Sequence, residues 1–186
     1  RRRFSARCSI AAQFADHVGE ILVIDIAQPP EPRGRQGHRG TGAARGGGRR
    51  DPGDVDLCFT ALREAHEEIG LQPQMVDVVG PMDSLVSRFG IKVTPYVGLV
   101  PEQFEIIPND SEIAEVFRVP VDFFMEDRRE MTHRIDYEGR SWYVPSYRFE
   151  GFKIWGLTAL MLVEFMNTGF SAGIQLHTPF DGHDKN

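Results

Sequence analysis

The chain has 186 residues, and its 41% hydrophobic content suits one globular domain with a sizeable core. No apolar run approaches the roughly 20 residues that a bilayer span requires, and Cys8 and Cys58 show neither CxxC nor Cys/His spacing. A membrane-spanning protein, a disulfide framework and a structural zinc site are therefore not expected.

The net charge of −6 is unevenly distributed along the chain. Residues 1–50 carry ten Arg against four acidic residues, whereas the remaining 136 residues carry 11 basic and 23 acidic residues. A basic amino terminus can indicate a nucleic-acid arm or a transit peptide. We expect residues 1–19 to be an amino-terminal extension and the protein to be cytoplasmic, with a mitochondrial or peroxisomal location as the open alternative.

The first predicted element is a buried strand at "EILVIDIA", residues 20–27, because Ile, Leu and Val dominate it. Residues 28–50 then consist almost entirely of Pro, Gly, Arg and small polar residues, which predicts an irregular segment. Its Arg and Gly could also form a nucleic-acid contact, but it lacks the interleaved aromatic residues that stack on bases. We therefore expect neither a nucleic-acid partner nor a membrane partner.

A helix is predicted after the turn signal "DPGD" at residues 51–54. Apolar residues recur at i, i+4, i+7 and i+11, which makes one stripe along the helix, and the residue that follows is a helix-ending glycine. The stripe and its cap are Cys58, Leu62, Ala65, Ile69 and Gly70. This stripe is expected to pack against a sheet.

Another face of the same helix carries Glu64, Glu67 and Glu68, whose spacing of three and four residues lets the carboxylates converge. Arg63 lies four residues before Glu67 and can pair with it. One interpretation is a solvated acidic face. The other is a site for a divalent cation such as Mg²⁺, which takes oxygen ligands and would offset the repulsion among the carboxylates.

The segment "GGRRDPGDVDLCFTALREAHEEIGL" resembles the box of the Nudix hydrolases, Gly-x5-Glu-x7-Arg-Glu-U-x-Glu-Glu-x-Gly-U, where U is aliphatic. An Asp stands in place of the first Glu, and eight residues instead of seven separate it from the Arg. Both features resemble the coenzyme A pyrophosphatase branch of that family. The matching positions are Gly48, Asp54, Arg63, Glu64, Ala65, Glu67, Glu68, Gly70 and Leu71.

The resemblance implies an α/β fold, the Nudix α/β/α sandwich with a mixed central sheet, over residues 20–170, followed by a tail at 171–186. Within it we expect an alternating strand at residues 91–97, a strand leading into a short helix within residues 107–124, and a hairpin around Glu138 and Gly139. "IWGLTA" before a closing helix is typical of the branch, and Trp155 within it is interpreted as structural.

The resemblance also assigns roles to individual residues. Glu64 and Glu68 are expected to bind Mg²⁺ or Mn²⁺, with Glu67 completing the cluster directly or through water, and Arg63 and Asp54 orient the site. The backbones of Gly47 and Gly48 are expected to contact the substrate. The catalytic carboxylates are expected among Glu67, Glu112 and Glu115, because related enzymes place a catalytic Glu in the loop that holds the last two.

The implied activity is metal-dependent cleavage of coenzyme A or its derivatives to 3′,5′-ADP and 4′-phosphopantetheine. The alternatives are hydrolysis of another nucleoside diphosphate compound, such as ADP-ribose or NADH, and a non-catalytic binding protein with the same fold. The expected partner is a small nucleotide substrate, and a homodimer is one option for the assembly.

Upstream of the box the likeness fails, because "DIAQPPEPRGRQGHRGTGAARGGG" replaces the strand and Arg-Ser stretch usual in the branch. One hypothesis is that residues 25–46 are translated from a shifted reading frame. The other frames of the coding DNA test it, since one of them must then encode an Arg-Ser and Pro-Gly-Gly stretch; if none does, the segment is a real divergence from the branch.

Overall fold

A computed structural model describes residues 10–13, 20–28, 51–87, 90–101, 104–109, 116–137 and 139–176, with side chains from residue 51 onward. The chain divides into two compact units, one of Arg1–Ile10 with Leu22–Val116 and one of Ala11–Ile21 with Phe117–Asn186. None of the helices in these described ranges is both long and apolar enough to cross a membrane.

The described chain combines α-helices with β-sheets, which confirms the predicted α/β class. In order, the elements are β1 (Ile10–Gln13), β2 (Glu20–Gln28), α1 (Leu57–Ile69), a short 3₁₀ helix (Pro73–Met75), β3 (Asp77–Pro81), β4 (Leu85–Val86), β5 (Lys92–Val100), β6 (Phe117–Pro120), α2 (Val121–Met125), β7 (Arg129–Tyr137), β8 (Arg140–Phe149), β9 (Phe152–Trp155) and α3 (Leu157–Phe170).

Helix α1 begins and ends at residues that satisfy its free backbone groups. Asp56 is the N-cap, and its carboxylate accepts a 2.7 Å hydrogen bond from the N–H of Phe59. At the other end Gly70 adopts a left-handed conformation with φ of 73°, and its N–H donates to the carbonyl of His66 at 3.0 Å. The predicted helix and its C-terminal glycine are both confirmed.

Replacing Gly70 should destabilise the first unit, because a side chain there is strained and crowded at once. The conformation is left-handed, and an added Cβ would lie 3.0 Å from the Cβ of Ile107. We expect Gly70→Ala to lower the free energy of unfolding by about 1–2 kcal/mol in chemical denaturation. Gly53→Ala is the control, since no atom lies within 4 Å of a Cβ at Gly53; equal losses in the two variants would contradict the prediction.

The apolar contact of α1 differs from the predicted stripe by a small rotation. Ala61, Ala65 and Ile69 are buried and pack with Val100 of β5, whereas Cys58 and Leu62 are only half-buried. The rotation has a physical reason: burying Thr60, Glu64 and Glu68 on the adjacent face turns Cys58 and Leu62 away from the core. The helix nevertheless packs against a strand, as predicted.

Strand β5 lies inside the sheet of the first unit. The strand order there is β3, β5, β2, with β4 also paired to β5. The β3 and β4 pairings with β5 are antiparallel, and a bulge interrupts the first of them between Val78 and Gly80. The predicted strand is confirmed, and its alternating residues Val93, Pro95 and Val97 are buried; Thr94 and Gly98 between them are buried as well.

The second unit contains the predicted hairpin and closing helix. Strand β6 leads directly into α2, and β7, β8 and β9 form an antiparallel sheet in that order. Helix α3 packs on β8 and β9 and against α2. It is apolar around most of its circumference, as expected of a largely buried helix. Its buried residues are Ala159, Met161, Leu162, Val163, Phe165 and Met166.

Three details add to or change the expectations from the sequence. Residues 10–13, within the predicted amino-terminal extension, form β1, a neighbour of β6. Strand β2 continues to Gln28, the first residue of the segment predicted to be irregular; residues 29–46 lie outside the described residues. Trp155 is 47% exposed, so it is not a core residue, and its ring contacts Lys153 instead.

Candidate functional site

One face of α1 carries polar side chains that are buried. Thr60, Glu64 and Glu68 are spaced by four residues and are 0%, 8% and 6% exposed. Side chains four residues apart on a helix lie one above the other, so the three groups form a polar row along the helix axis. Burial of two carboxylates one turn apart is costly unless each is compensated. A solvated acidic face therefore does not describe Glu64 and Glu68.

Arg63 links this row to the turn that precedes the helix. Its Nε and Nη2 each donate to one oxygen of Asp54 at 3.1 Å, which makes a two-point ion pair. Asp54 in turn accepts hydrogen bonds from the backbone N–H of Asp51 at 2.8 Å and from the Thr60 hydroxyl at 2.9 Å. The planar guanidinium is thus fixed in orientation by a buried, fully ionised partner.

The remaining nitrogen of Arg63 contacts two of the predicted metal-site carboxylates. Nη1 lies 2.9 Å from Oε1 of Glu64 and 2.8 Å from Oε2 of Glu67. The Glu64 side chain is 11% exposed, whereas that of Glu67 is 49% exposed. The pairing of Arg63 with Glu67 is the one predicted from their spacing, and the orienting roles of Arg63 and Asp54 fit these distances.

The ion pair shifts both of its partners toward their charged forms. Chiefly through its hydrogen bonds to Arg63, the pKa of Asp54 falls from about 3.8 to about 2. The same hydrogen bonds raise the pKa of Arg63 above its usual range, with Glu64 and Glu67 adding to the effect. Both groups are therefore charged throughout the pH range in which the protein would work.

The lowered pKa of Asp54 predicts a pH dependence of stability. A carboxyl whose pKa is depressed on folding contributes stability above its unfolded pKa, and this contribution is lost as the pH falls toward the folded value. We expect the Tm of the wild-type protein to fall between about pH 4 and pH 2 more steeply than that of Asp54→Asn. Thermal unfolding of both proteins across this range measures the difference in slope. Parallel curves of Tm against pH would contradict the lowered pKa of Asp54.

The three carboxylates do not meet at one point. In the part of the chain with described side chains, no three His, Cys, Asp or Glu residues are grouped so that they could hold a metal ion. Glu67 instead extends to Arg63 on the exposed side of the helix, while Glu64 and Glu68 lie on the buried face. Glu64 and Glu68 thus form a buried pair with Glu67 beside it, and the sharing of one cation by all three stays a prediction. Two carboxylates one turn apart still suit Mg²⁺ or Mn²⁺, which usually take one or two protein carboxylates, substrate oxygens and water.

The segment after β5 is attached to the carboxyl end of α1. The N–H of Ile107 donates to the carbonyl of Ile69, and the N–H of Asn109 donates to that of Glu68, both at 2.9 Å. Phe104 is buried in the same core as Ile69. Asn109, three residues before Glu112 in the sequence, is therefore attached to the end of α1 that carries Glu68.

Several predicted site residues lie outside the described part of the chain: Gly47, Gly48, Glu112 and Glu115. Two described residues of the site were not predicted from the sequence. Asp56 caps α1, and an Asp before a helical pattern was the available signal. Thr60 bonds Asp54, and its position one turn before Glu64 was the only hint. His66 and His133 contact Gln72 and Ser146 and take no part in the site.

Comparison with known proteins agrees with this geometry, since residues 20–138 match the NUDIX domain family. The chain belongs to the Nudix family. The match includes all of α1 and the Asp54–Arg63 pair, so the buried polar row lies within the matched region. The α/β fold of the described residues is consistent with the family.

Three relatives show what the chain is similar to. It is 34% identical to the peroxisomal coenzyme A diphosphatase NUDT7 of Mus musculus over 144 residues, which are 74% of this chain and 61% of that protein. It is 33% identical over 123 residues to Nudix hydrolase 15, mitochondrial, of Arabidopsis thaliana, covering 63% and 43%. The uncharacterized Nudix hydrolase NudL of Yersinia pestis is 40% identical over 116 residues, covering 62% and 58%. The chain thus spans 43% to 61% of the length of these relatives.

Proposed function

We propose that this Nudix protein is a pyrophosphohydrolase that cleaves coenzyme A or its derivatives to 3′,5′-ADP and 4′-phosphopantetheine with Mg²⁺ or Mn²⁺. The observation that carries the proposal is the buried pair Glu64 and Glu68, one turn apart on α1, with Arg63 fixed beside it by Asp54. The similarity to a protein named coenzyme A diphosphatase supports the choice of substrate.

In this proposal Glu64 and Glu68 hold the cation, and Glu67 contributes directly or through water. When bound, the cation would neutralise pyrophosphate charge and lower the pKa of a coordinated water. Arg63 keeps the Glu64 and Glu67 carboxylates in fixed rotamers, because its own orientation is set by the two-point bond to Asp54. Fixed ligands lower the reorganisation needed when the substrate arrives.

The remaining roles fall on residues of the neighbouring loops. Glu112 or Glu115 is the proposed general base, and the attachment of Asn109 to Glu68 supports this by bringing the start of that loop to the site. The backbone N–H groups of Gly47 and Gly48 are the proposed contacts to the anionic substrate. The cytoplasmic location and the homodimer stay predictions; the mouse and Arabidopsis relatives are named peroxisomal and mitochondrial.

The test is incubation of the full chain with coenzyme A, acetyl-CoA, ADP-ribose and NADH, each with and without Mg²⁺ or Mn²⁺. Formation of 3′,5′-ADP from coenzyme A, dependent on the cation, is the expected result. Faster cleavage of ADP-ribose or NADH would reassign the substrate within the same chemistry. No product from any of the four compounds would leave the non-catalytic binding protein as the remaining interpretation.

A further inference from the structure

Thr60 is the polar residue of the buried row that the proposed chemistry does not use. It is 0% exposed and lies on α1 one turn before Glu64. A buried hydroxyl in a helix needs a partner, which is usually the carbonyl four residues earlier. Here two acceptors are available: the carbonyl of Asp56 at 3.0 Å and Oδ2 of Asp54 at 2.9 Å.

The hydroxyl has a single proton, and the charged acceptor is the stronger one. The carbonyl of Asp56 already accepts the backbone N–H of Thr60 at 3.2 Å, as the first bond of the helix. Asp54 carries a full negative charge, since its pKa is about 2. The proton of Thr60 is therefore directed at Asp54.

This bond connects two parts of the site that belong to different elements, the turn before α1 and α1 itself. Asp54 lies in the turn before the helix, where the N–H of Asp51 bonds the same oxygen. Thr60 and Arg63 bond the carboxylate from α1, the helix that also carries Glu64. The position of Asp54 is therefore fixed relative to Glu64. A shift of Asp54 would move Arg63 and, through its Nη1, the carboxylate of Glu64.

We propose that Thr60 is a positioning residue of the metal site, acting through Asp54 and Arg63 on Glu64. The inference rests on the proposed function in taking Glu64 as a metal ligand. Thr60 itself touches neither substrate nor cation in this scheme. Residues that orient metal ligands from outside typically change metal affinity or activity by roughly 10–100-fold, and Thr60 is one contact further away.

Thr60→Val keeps the shape of the side chain but removes the proton, and its methyl group cannot approach Asp54 as closely as an oxygen does. Thr60→Ser keeps the hydroxyl. Thr94→Val is the matched control, because Thr94 is also buried in the first unit and its hydroxyl bonds Ser84 at 2.8 Å. Any general cost of losing a buried hydroxyl appears in the Thr94 variant as well.

The experiment measures Mn²⁺ binding by the full chain without substrate, by titration calorimetry, and then kcat and KM for coenzyme A with Mg²⁺. We expect Thr60→Val to raise the Kd for Mn²⁺ and lower kcat by about three- to tenfold, with KM within about twofold. Thr60→Ser and Thr94→Val should match the wild-type protein in all three quantities. Thr60→Ala repeats the comparison if Thr60→Val is unfolded at the assay temperature.

An unchanged Kd for Mn²⁺ in both Thr60→Val and Thr60→Ala would overturn the inference, and so would an equal loss in Thr94→Val. The same measurements distinguish a failure of this inference from a failure of the proposed function. A wild-type protein that binds Mn²⁺ but leaves coenzyme A intact would refute the proposed function, while the Kd values still decide the role of Thr60. A wild-type protein that binds no Mn²⁺ would refute both.

Discussion

Glu68→Gln should abolish metal-dependent hydrolysis while leaving the fold intact. The amide keeps the size and shape of the side chain but loses the charge that holds a divalent cation. If the cation activates the water and stabilises the developing charge, the loss is about 4 kcal/mol of transition-state stabilisation, roughly a thousandfold in kcat/KM. Steady-state assays with coenzyme A and Mg²⁺ measure this factor.

Thermal unfolding tests the effect of the same substitution on metal binding independently of activity. A cation that binds only the folded protein raises stability by about 2.7 kcal/mol at 100 times its Kd, so Mg²⁺ or Mn²⁺ should raise the Tm of the wild-type protein. Glu68→Gln should lose this increase. Without added metal it should be as stable as the wild-type protein or slightly more stable, because two buried carboxylates one turn apart repel each other.

Glu105→Gln is the matched control, since Glu105 is an exposed carboxylate of the same unit. It should keep both the activity and the increase in Tm. A solvated acidic helix face predicts a different pattern, in which Glu68→Gln lies within about 0.5 kcal/mol of the wild-type protein with or without metal. That pattern in a catalytically active protein would remove Glu68 from the site.

The features of α1 that were predictable from the sequence are those set by local spacing. The helix, its ending at Gly70 and the pairing of Arg63 with Glu67 all follow from the 3.6-residue period or from glycine chemistry. The predicted apolar face of α1 differed from the observed one by a small rotation, because periodicity does not reveal which polar residues are buried. Thr60 and Glu64 take part of the buried surface that the pattern assigned to Cys58.

The features that were not predictable depend on contacts between elements. The pair of Asp54 with Arg63 spans nine residues and a turn, so no helical spacing signals it; the family resemblance assigned an orienting role to each residue but did not pair them. Trp155 belongs to a short strand whose side chains alternate between two faces, and an apolar helix after it does not determine which face is covered. The burial of Thr94 and Gly98 beside Val93 and Val97 in β5 likewise does not follow from the alternating pattern of the sequence.

Arg63→Lys should have the second-largest effect on activity, although it keeps the positive charge. The guanidinium makes two parallel bonds to Asp54 and contacts Glu64 and Glu67 through its third nitrogen. A lysine ammonium is a single point charge on a flexible stem and cannot reproduce this planar arrangement. We expect kcat/KM to fall by roughly a hundredfold, since misplaced ligand carboxylates weaken the metal site.

A double-mutant cycle with Asp54→Asn then tests whether the two residues act as one unit. If Asp54 works by orienting Arg63, its replacement should cost little further activity once Arg63 is Lys, and the combined loss should be at least about tenfold smaller than the product of the single losses. Arg148→Lys is the control for the substitution itself, because Arg148 pairs with Glu130 in an exposed ion pair of the second unit. Independent, multiplicative losses would show that Asp54 and Arg63 contribute separately, and the positioning of Glu64 through their ion pair would then be wrong.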